Sequence, residues 1–120
     1  MDFKDLSAYK KAFDLAMSIF EVSKTFPKEE RYSLIDQVRR SSRSVCANLA
    51  EGYRKRQYPN HFLSKLSDSD MENAETQVWI EFAINCGYLT TETKNQLMKS
   101  SEEVGKLLGY MIQNPTKFCK

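Results

Sequence analysis

Ile35-Asp36-Gln37-Val38-Arg39-Arg40-Ser41-Ser42-Arg43-Ser44-Val45-Cys46-Ala47-Asn48-Leu49-Ala50-Glu51-Gly52 reads in steps of three and four: Ile35, Val38, Ser42, Val45 and Leu49 fall on one row. That spacing places them on one stripe of an α-helix. The helix is expected from about Lys28 to Glu51, with Glu29 and Glu30 in its first turn at the positive end of its dipole. Gly52 directly follows the run and reads as a C-terminal cap.

The same pattern extends in both directions. Upstream, Leu6, Tyr9, Phe13, Ala16 and Phe20 form a stripe that predicts a first helix from about Leu6 to Thr25. Phe26-Pro27 ends it, because the residue before proline is pushed out of the helical region. Downstream, a basic loop from Tyr53 to Tyr58 leads to Pro59, suited to the first turn of a third helix. That helix is expected to reach about Cys86 and stop at Gly87, with Phe62, Leu63, Leu66, Met71, Ala74, Val78 and Phe82 as its apolar positions. Ser67-Asp68-Ser69-Asp70 is polar, so its stripe is weakest there. Thr90 or Thr91 caps a fourth helix with Glu92 in its first turn, a stripe at Leu97, Val104, Leu108 and Met111, and an end at Asn114-Pro115. Gly105 and Gly109 each cost about 1 kcal/mol against alanine there, and mark either close helix approach or a simple lapse in propensity. No segment alternates with a period of two. The expected fold is all-α, one domain over residues 1–120, an antiparallel up-down-up-down four-helix bundle.

Composition narrows the function classes. The N-terminus, Met1-Asp2-Phe3-Lys4-Asp5, does not read as a secretory leader. No run approaches the ~18 apolar residues of a membrane span, so nothing is expected to cross a membrane. Cys46, Cys86 and Cys119 are an odd set at wide spacing, suiting neither a disulfide framework nor a zinc site but free thiols. The net charge is only +2, yet residues 39–56 hold six basic residues (Arg39, Arg40, Arg43, Arg54, Lys55 and Arg56) against Glu51 alone. The remaining residues carry a net negative charge, so the positive excess sits in one short segment.

Enzyme chemistry finds little support. A di-iron bundle needs Glu-x-x-His pairs on two helices, and the only histidine, His61, has Tyr58 three places before it. The glycines stand alone, so no phosphate-binding loop exists, and no G-x-S-x-G elbow occurs. His61 reads as a surface or cap residue. Glu51 and Glu75 are expected in a buried or half-buried network with Asn48, Gln37 or an arginine such as Arg39, fixing helix register rather than catalysing. No catalytic residue, metal or cofactor is expected.

Several longer runs resemble a known family. Phe26-Pro27-Lys28-Glu29-Glu30-Arg31-Tyr32-Ser33-Leu34, Gln37-Val38-Arg39-Arg40-Ser41-Ser42 and Asn48-Leu49-Ala50-Glu51-Gly52-Tyr53 are similar to bacterial four-helix-bundle proteins encoded in ribosomal-RNA intervening sequences. Phe62-Leu63-Ser64-Lys65-Leu66, Ala74-Glu75-Thr76-Gln77-Val78-Trp79 and Cys86-Gly87-Tyr88-Leu89 add to the match, which covers about Ala8 to Leu108. The resemblance implies a ring-like homopentamer in bacterial cytoplasm. Relatives that serve as accessory proteins of diversity-generating retroelements engage RNA and a reverse transcriptase through a basic surface; for most members the biochemical role is unknown. Two departures stand out. Cys46 occupies a position where many members carry proline and would kink the helix, and Asp68 and Asp70 stand at positions often apolar.

Two functions are therefore expected to compete. In the first, an oligomeric scaffold binds RNA through Arg39, Arg40, Arg43, Arg54, Lys55 and Arg56, with Tyr53 and Tyr58 placed to stack on unpaired bases. The plainer account of the same charges is a solvated loop whose arginines pair with acidic helix surfaces. In the second, the ring is itself a protein-interaction module, with Ala12, Ile19, Leu34, Trp79 and Leu107 outside the main stripes and facing neighbouring subunits. Salt separates the two, since phosphate contacts weaken steeply with it and apolar interfaces do not.

Overall fold

Val38, Ser42, Val45 and Leu49 are buried on one face of helix α2, Leu34–Arg54. The computed structural model describes residues 2–119 and adds α1 over Ser7–Ser23, α3 over Pro59–Asn85 and α4 over Thr91–Gln113. Consecutive helices are neighbours and α1 also packs on α4, the up-down-up-down arrangement that short connections impose. Single 3₁₀ turns occupy Phe3–Asp5, Lys28–Glu30 and Pro115–Lys117, and there is no strand among the described residues. At 1.5 Å per residue α3 alone is about 40 Å long, close to the 46 Å long axis of the molecule.

The helix ends follow from local chemistry. Thr90 caps α4 by accepting a hydrogen bond from the Thr93 N–H at 3.1 Å, and Pro59 lies in the first turn of α3. After α3 the chain closes a Schellman motif. The Tyr88 N–H donates to the Ala83 carbonyl at 2.9 Å and the Gly87 N–H to Ile84 at 3.0 Å. Gly87 holds φ at 79°, which a side chain would disfavour.

Two expected boundaries move. Lys28–Glu30 is a separate 3₁₀ turn, so Glu29 and Glu30 are not in the first turn of α2. Glu30 nonetheless serves that end, accepting hydrogen bonds from the Leu34 N–H at 3.3 Å, from the Ser33 hydroxyl and from the Tyr88 phenol at 2.8 Å. Gly52 is not a cap. It is buried inside α2, which runs on to Arg54, and a Cβ there would come within 3.0 Å of the Lys65 Cβ and 3.4 Å of the Phe62 carbonyl. The absent side chain lets α3 press against α2. Of the other two helical glycines, Gly105 lies close to α3, where an added Cβ would meet Asn73 at 3.4 Å, and Gly109 faces open space.

The core differs from the expected stripes in two helices. In α1 the buried positions are Ala8, Ala12, Leu15, Ala16, Ile19 and Ser23, while Phe13 is 48% exposed. In α3 they are Phe62, Leu66, Ser69, Asn73, Thr76, Ile80 and Ala83, while Met71, Val78 and Phe82 point outward. A large apolar cluster built on Leu49, Phe62, Leu66, Val104 and Leu108 fills one end of the bundle. Leu15, Ile19, Val38, Ile80 and Leu97 form a second cluster. The buried helix faces also carry a polar set. Ser41 meets Thr76 oxygen to oxygen at 2.8 Å, Ser69 donates to the Val45 carbonyl at 2.7 Å, and Ser101 donates to Asn73 Oδ1 at 2.8 Å.

Burial also removes three residues from any neighbour-facing surface. Ala12, Ile19 and Leu34 lie inside their own bundle, and Trp79 and Leu107 are half-buried. Small residues such as Ala8 and Ala12 carry little weight in a periodicity, yet they are what allows α1 to sit close to its neighbours. At Cys46, α2 continues unbroken.

Candidate nucleic-acid interface

A cation contributes to a polyanion site only if its charge is not already matched by a nearby carboxylate. The six basic residues expected to act together differ sharply on that criterion, and they do not form one patch. Arg43 and Arg54 are eleven positions apart on α2, about 16 Å at the helical rise.

The upper group lies in a groove of about 720 Å³ between the end of α1, the 3₁₀ turn and α2. Its lining brings Lys24, Lys28 and Arg31 together with Arg39, Arg40 and Arg43, and among the described residues includes one carboxylate, Asp36. Arg39 is half-buried; its Nε donates to the Ser23 hydroxyl at 2.8 Å and its Nη2 to the Phe20 carbonyl at 3.4 Å. It thus ties α2 to the negative end of the α1 dipole. Its guanidinium also lies 4.7 Å from the centre of the Phe20 ring, where Lys24 sits at 4.7 Å and Arg43 at 5.8 Å. A phenyl ring attracts cations through its quadrupole but has no net charge, so three cations are gathered around it without being neutralised by it. Lys24 also meets Glu21 at 3.3 Å in an exposed pair worth at most about 1 kcal/mol.

Arg40 behaves differently. It meets Glu75 at 2.7 Å and Glu72 at 3.5 Å, and these two carboxylates outweigh partial burial to hold its pKa above the ordinary value. Arg40 is a strut between α2 and α3. Among the described residues no ion pair reaches Lys28, Arg31 or Arg43. Glu30, their neighbour in the sequence, is held below the usual carboxylate range by its bonds to Ser33 and Tyr88.

The lower group surrounds the turn after α2. Arg54 and Lys55 are exposed, whereas Arg56 folds back 4.1 Å from the Tyr53 ring centre and donates to the Tyr53 carbonyl at 2.9 Å. Tyr53 is buried, because α2 extends one turn further than expected and carries it into the core; it has no free face for a base. Tyr58 is exposed, edge-on to His61 at 6.0 Å.

Only the Glu75 half of the expected carboxylate network forms, and Glu51 stays outside it on the surface. Glu75 joins Arg40 and the Trp79 indole, which donates at 3.3 Å, rather than Arg39. Glu51 is exposed and pairs with Lys65 at 3.0 Å, while Asn48 bonds its own helix at the Ser44 carbonyl. Cys46, Cys86 and Cys119 are free, and burial pushes the Cys46 thiol up to about 11. Among the described residues no group of three or more His, Cys, Asp or Glu gathers to hold a metal. Among the described residues no helix is long and apolar enough to cross a membrane.

Lys24, Lys28 and Arg31 are the groove residues that the charge window over 39–56 left out. Glu29 and Glu30 offset them in a running sum, although Glu30 is engaged elsewhere in space.

Comparison with known proteins places the chain in a family. The family model of the 23S rRNA-intervening sequence protein matches residues 4–110. A crystal structure of a protein with unknown function, from the S23 ribosomal protein family of Bacteroides thetaiotaomicron, is 30% identical. It covers 92% of this chain and 98% of its own, with a TM-score of 0.83. No curated protein matches.

Proposed function

The chain belongs to the 23S rRNA-intervening sequence protein family, and from that premise we propose that it is a non-enzymatic scaffold of the bacterial cytoplasm that binds RNA through the groove between α1 and α2. One observation carries this reading. Lys28, Arg31 and Arg43 line a concave surface without carboxylate partners among the described residues, beside Lys24 and Arg39 on the Phe20 ring. Phosphate groups are the ligands that uncompensated cations in a groove favour, through release of the counterions they carry. Arg54 and Lys55 extend the positive field along α2 as a secondary contact.

Fluorescence anisotropy across a salt series tests the reading, using an RNA with paired and unpaired segments. Binding is expected to weaken steeply with salt. Changing Lys28, Arg31 and Arg43 to alanine should abolish most of it and lower the log–log salt slope by about two, at roughly 0.7 per lost contact to a single strand. Changing Arg54, Lys55 and Arg56 should weaken it less. No binding by the unaltered protein at low salt overturns the proposal.

A second reading, a protein-interaction module assembled as a ring of copies, is favoured by a different observation. Met71, Val78 and Phe82 form an exposed apolar row on α3, on the face opposite its buried residues. Self-association is expected, a homopentamer by the family resemblance, and a solution mass of one chain would refute it.

A further inference from the structure

We propose that the groove selects single-stranded RNA, seating an unpaired base on an aromatic ledge immediately below its basic half; this rests on the RNA-binding reading above. A second depression of about 420 Å³ continues from the basic groove along α1 and α2, and the two share Arg43 and Ala47 in their linings. Its character is unlike that of the first. Phe3, Tyr9, Phe13 and Met17 line it, and among the described residues Arg43 is the one charged side chain in its lining. The aromatic rings brace one another: Phe3 meets Tyr9 edge-on at 5.1 Å, and Tyr9 stacks on Phe13 at 6.1 Å. Phe13 and Met17 are nevertheless about half exposed, at 48% and 46%.

The juxtaposition decides between nucleic-acid forms. A duplex turns phosphates outward and keeps its base faces stacked inside, so it satisfies the basic half and leaves the aromatic half in water. A single strand presents phosphates and free base faces together. With a phosphate at Arg43, the adjoining base lies beside Phe13 and Tyr9. Stacking on such a ring is tolerant of sequence, because every base has a π-face. Cations gathered around Phe20 and an aromatic ladder one step away form the alternation of charge and ring that single-strand binders use.

The test compares an unstructured single-stranded RNA with a blunt RNA duplex of equal length, by anisotropy at fixed low salt. The single strand should bind more tightly. Phe13→Ala should weaken single-strand binding about tenfold, the lower part of the range for one stacked base, with the salt slope and duplex binding unchanged. A 2-aminopurine in the strand should lose fluorescence on binding the unaltered protein and keep it with Phe13→Ala. Equal binding of both RNAs, or a Phe13→Ala protein of full affinity, overturns the base site. If the alanine changes at Lys28, Arg31 and Arg43 still abolish binding in that case, the RNA-binding reading stands without it. Absence of binding by either RNA refutes both. A Phe13→Ala chain that loses the assembly state of the unaltered protein also refutes the base site, since another copy would then cover that ring.

Discussion

Gly52 and Gly109 both lie within continuous helices, and the space around each gives opposite expectations for the same substitution. At Gly52 an added methyl would press on the Lys65 Cβ at 3.0 Å and a backbone carbonyl at 3.4 Å, neither of which can swing away. At Gly109 nothing lies within 4 Å. Gly52→Ala should therefore lower stability, despite alanine's better propensity, and Gly109→Ala should raise it by up to about 1 kcal/mol. Urea denaturation of the two variants checks the sign, and two shifts in the same direction would contradict the packing argument. Residue type is an equally poor guide among the arginines of α2. Arg39 closes α1, Arg40 braces α3, and Arg43 lies beside Phe20 without an acidic partner among the described residues.

At the scale of the element, α3 explains most of the difference between expected and observed burial. It carries apolar residues on two faces, so their spacing alone does not say which face turns inward. The inner face includes Ser69, Asn73 and Thr76, which a hydrophobic pattern discards but which are buried with their hydrogen bonds made. Asn73 exchanges two bonds with Ser101, to the carbonyl at 2.9 Å and from the hydroxyl at 2.8 Å. Asn73→Ala should cost about 1–3 kcal/mol, because it strips buried polar atoms of their partner. Ser41→Ala should cost under about 1 kcal/mol, since Thr76 keeps its own bond to the Glu72 carbonyl at 2.9 Å. Thermal or chemical melts that rank Ser41→Ala as the more damaging would show that the polar set is not organised by satisfaction of its members.

Across the whole molecule, a net charge of +2 conceals a strong separation of charge. Folding gathers Lys24, Lys28 and Arg31 beside Arg39 and Arg43 and leaves the aromatic ledge and the outer row of α3 as distinct surfaces. If that row joins copies, charges placed within it must break the assembly while leaving the bundle folded, because Met71 and Phe82 are 60% and 54% exposed. Met71→Glu with Phe82→Glu should then reduce the solution mass measured by sedimentation, with helicity retained and the basic groove intact on each chain. An unchanged mass would move the contact to another face.

Four helices, their order, most of their ends and the inward stripes of α2 and α4 were legible in the residues alone. Each follows from local rules: a period of three and four, proline and glycine at boundaries, and a threonine cap. The positive charge of α2 was legible too. Tertiary structure alone decided which face of α1 and α3 turned inward, that Gly52 lies at a helix crossing, that Tyr53 is buried, and which cations have no acidic partner among the described residues. Those properties depend on residues distant in the chain. Phe20 with Arg39 and Arg43, Arg40 with Glu75, and Gly52 with Lys65 meet only when the bundle closes. Periodicity reports what one helix does along its own axis, and a binding groove is made by what two helices place opposite each other.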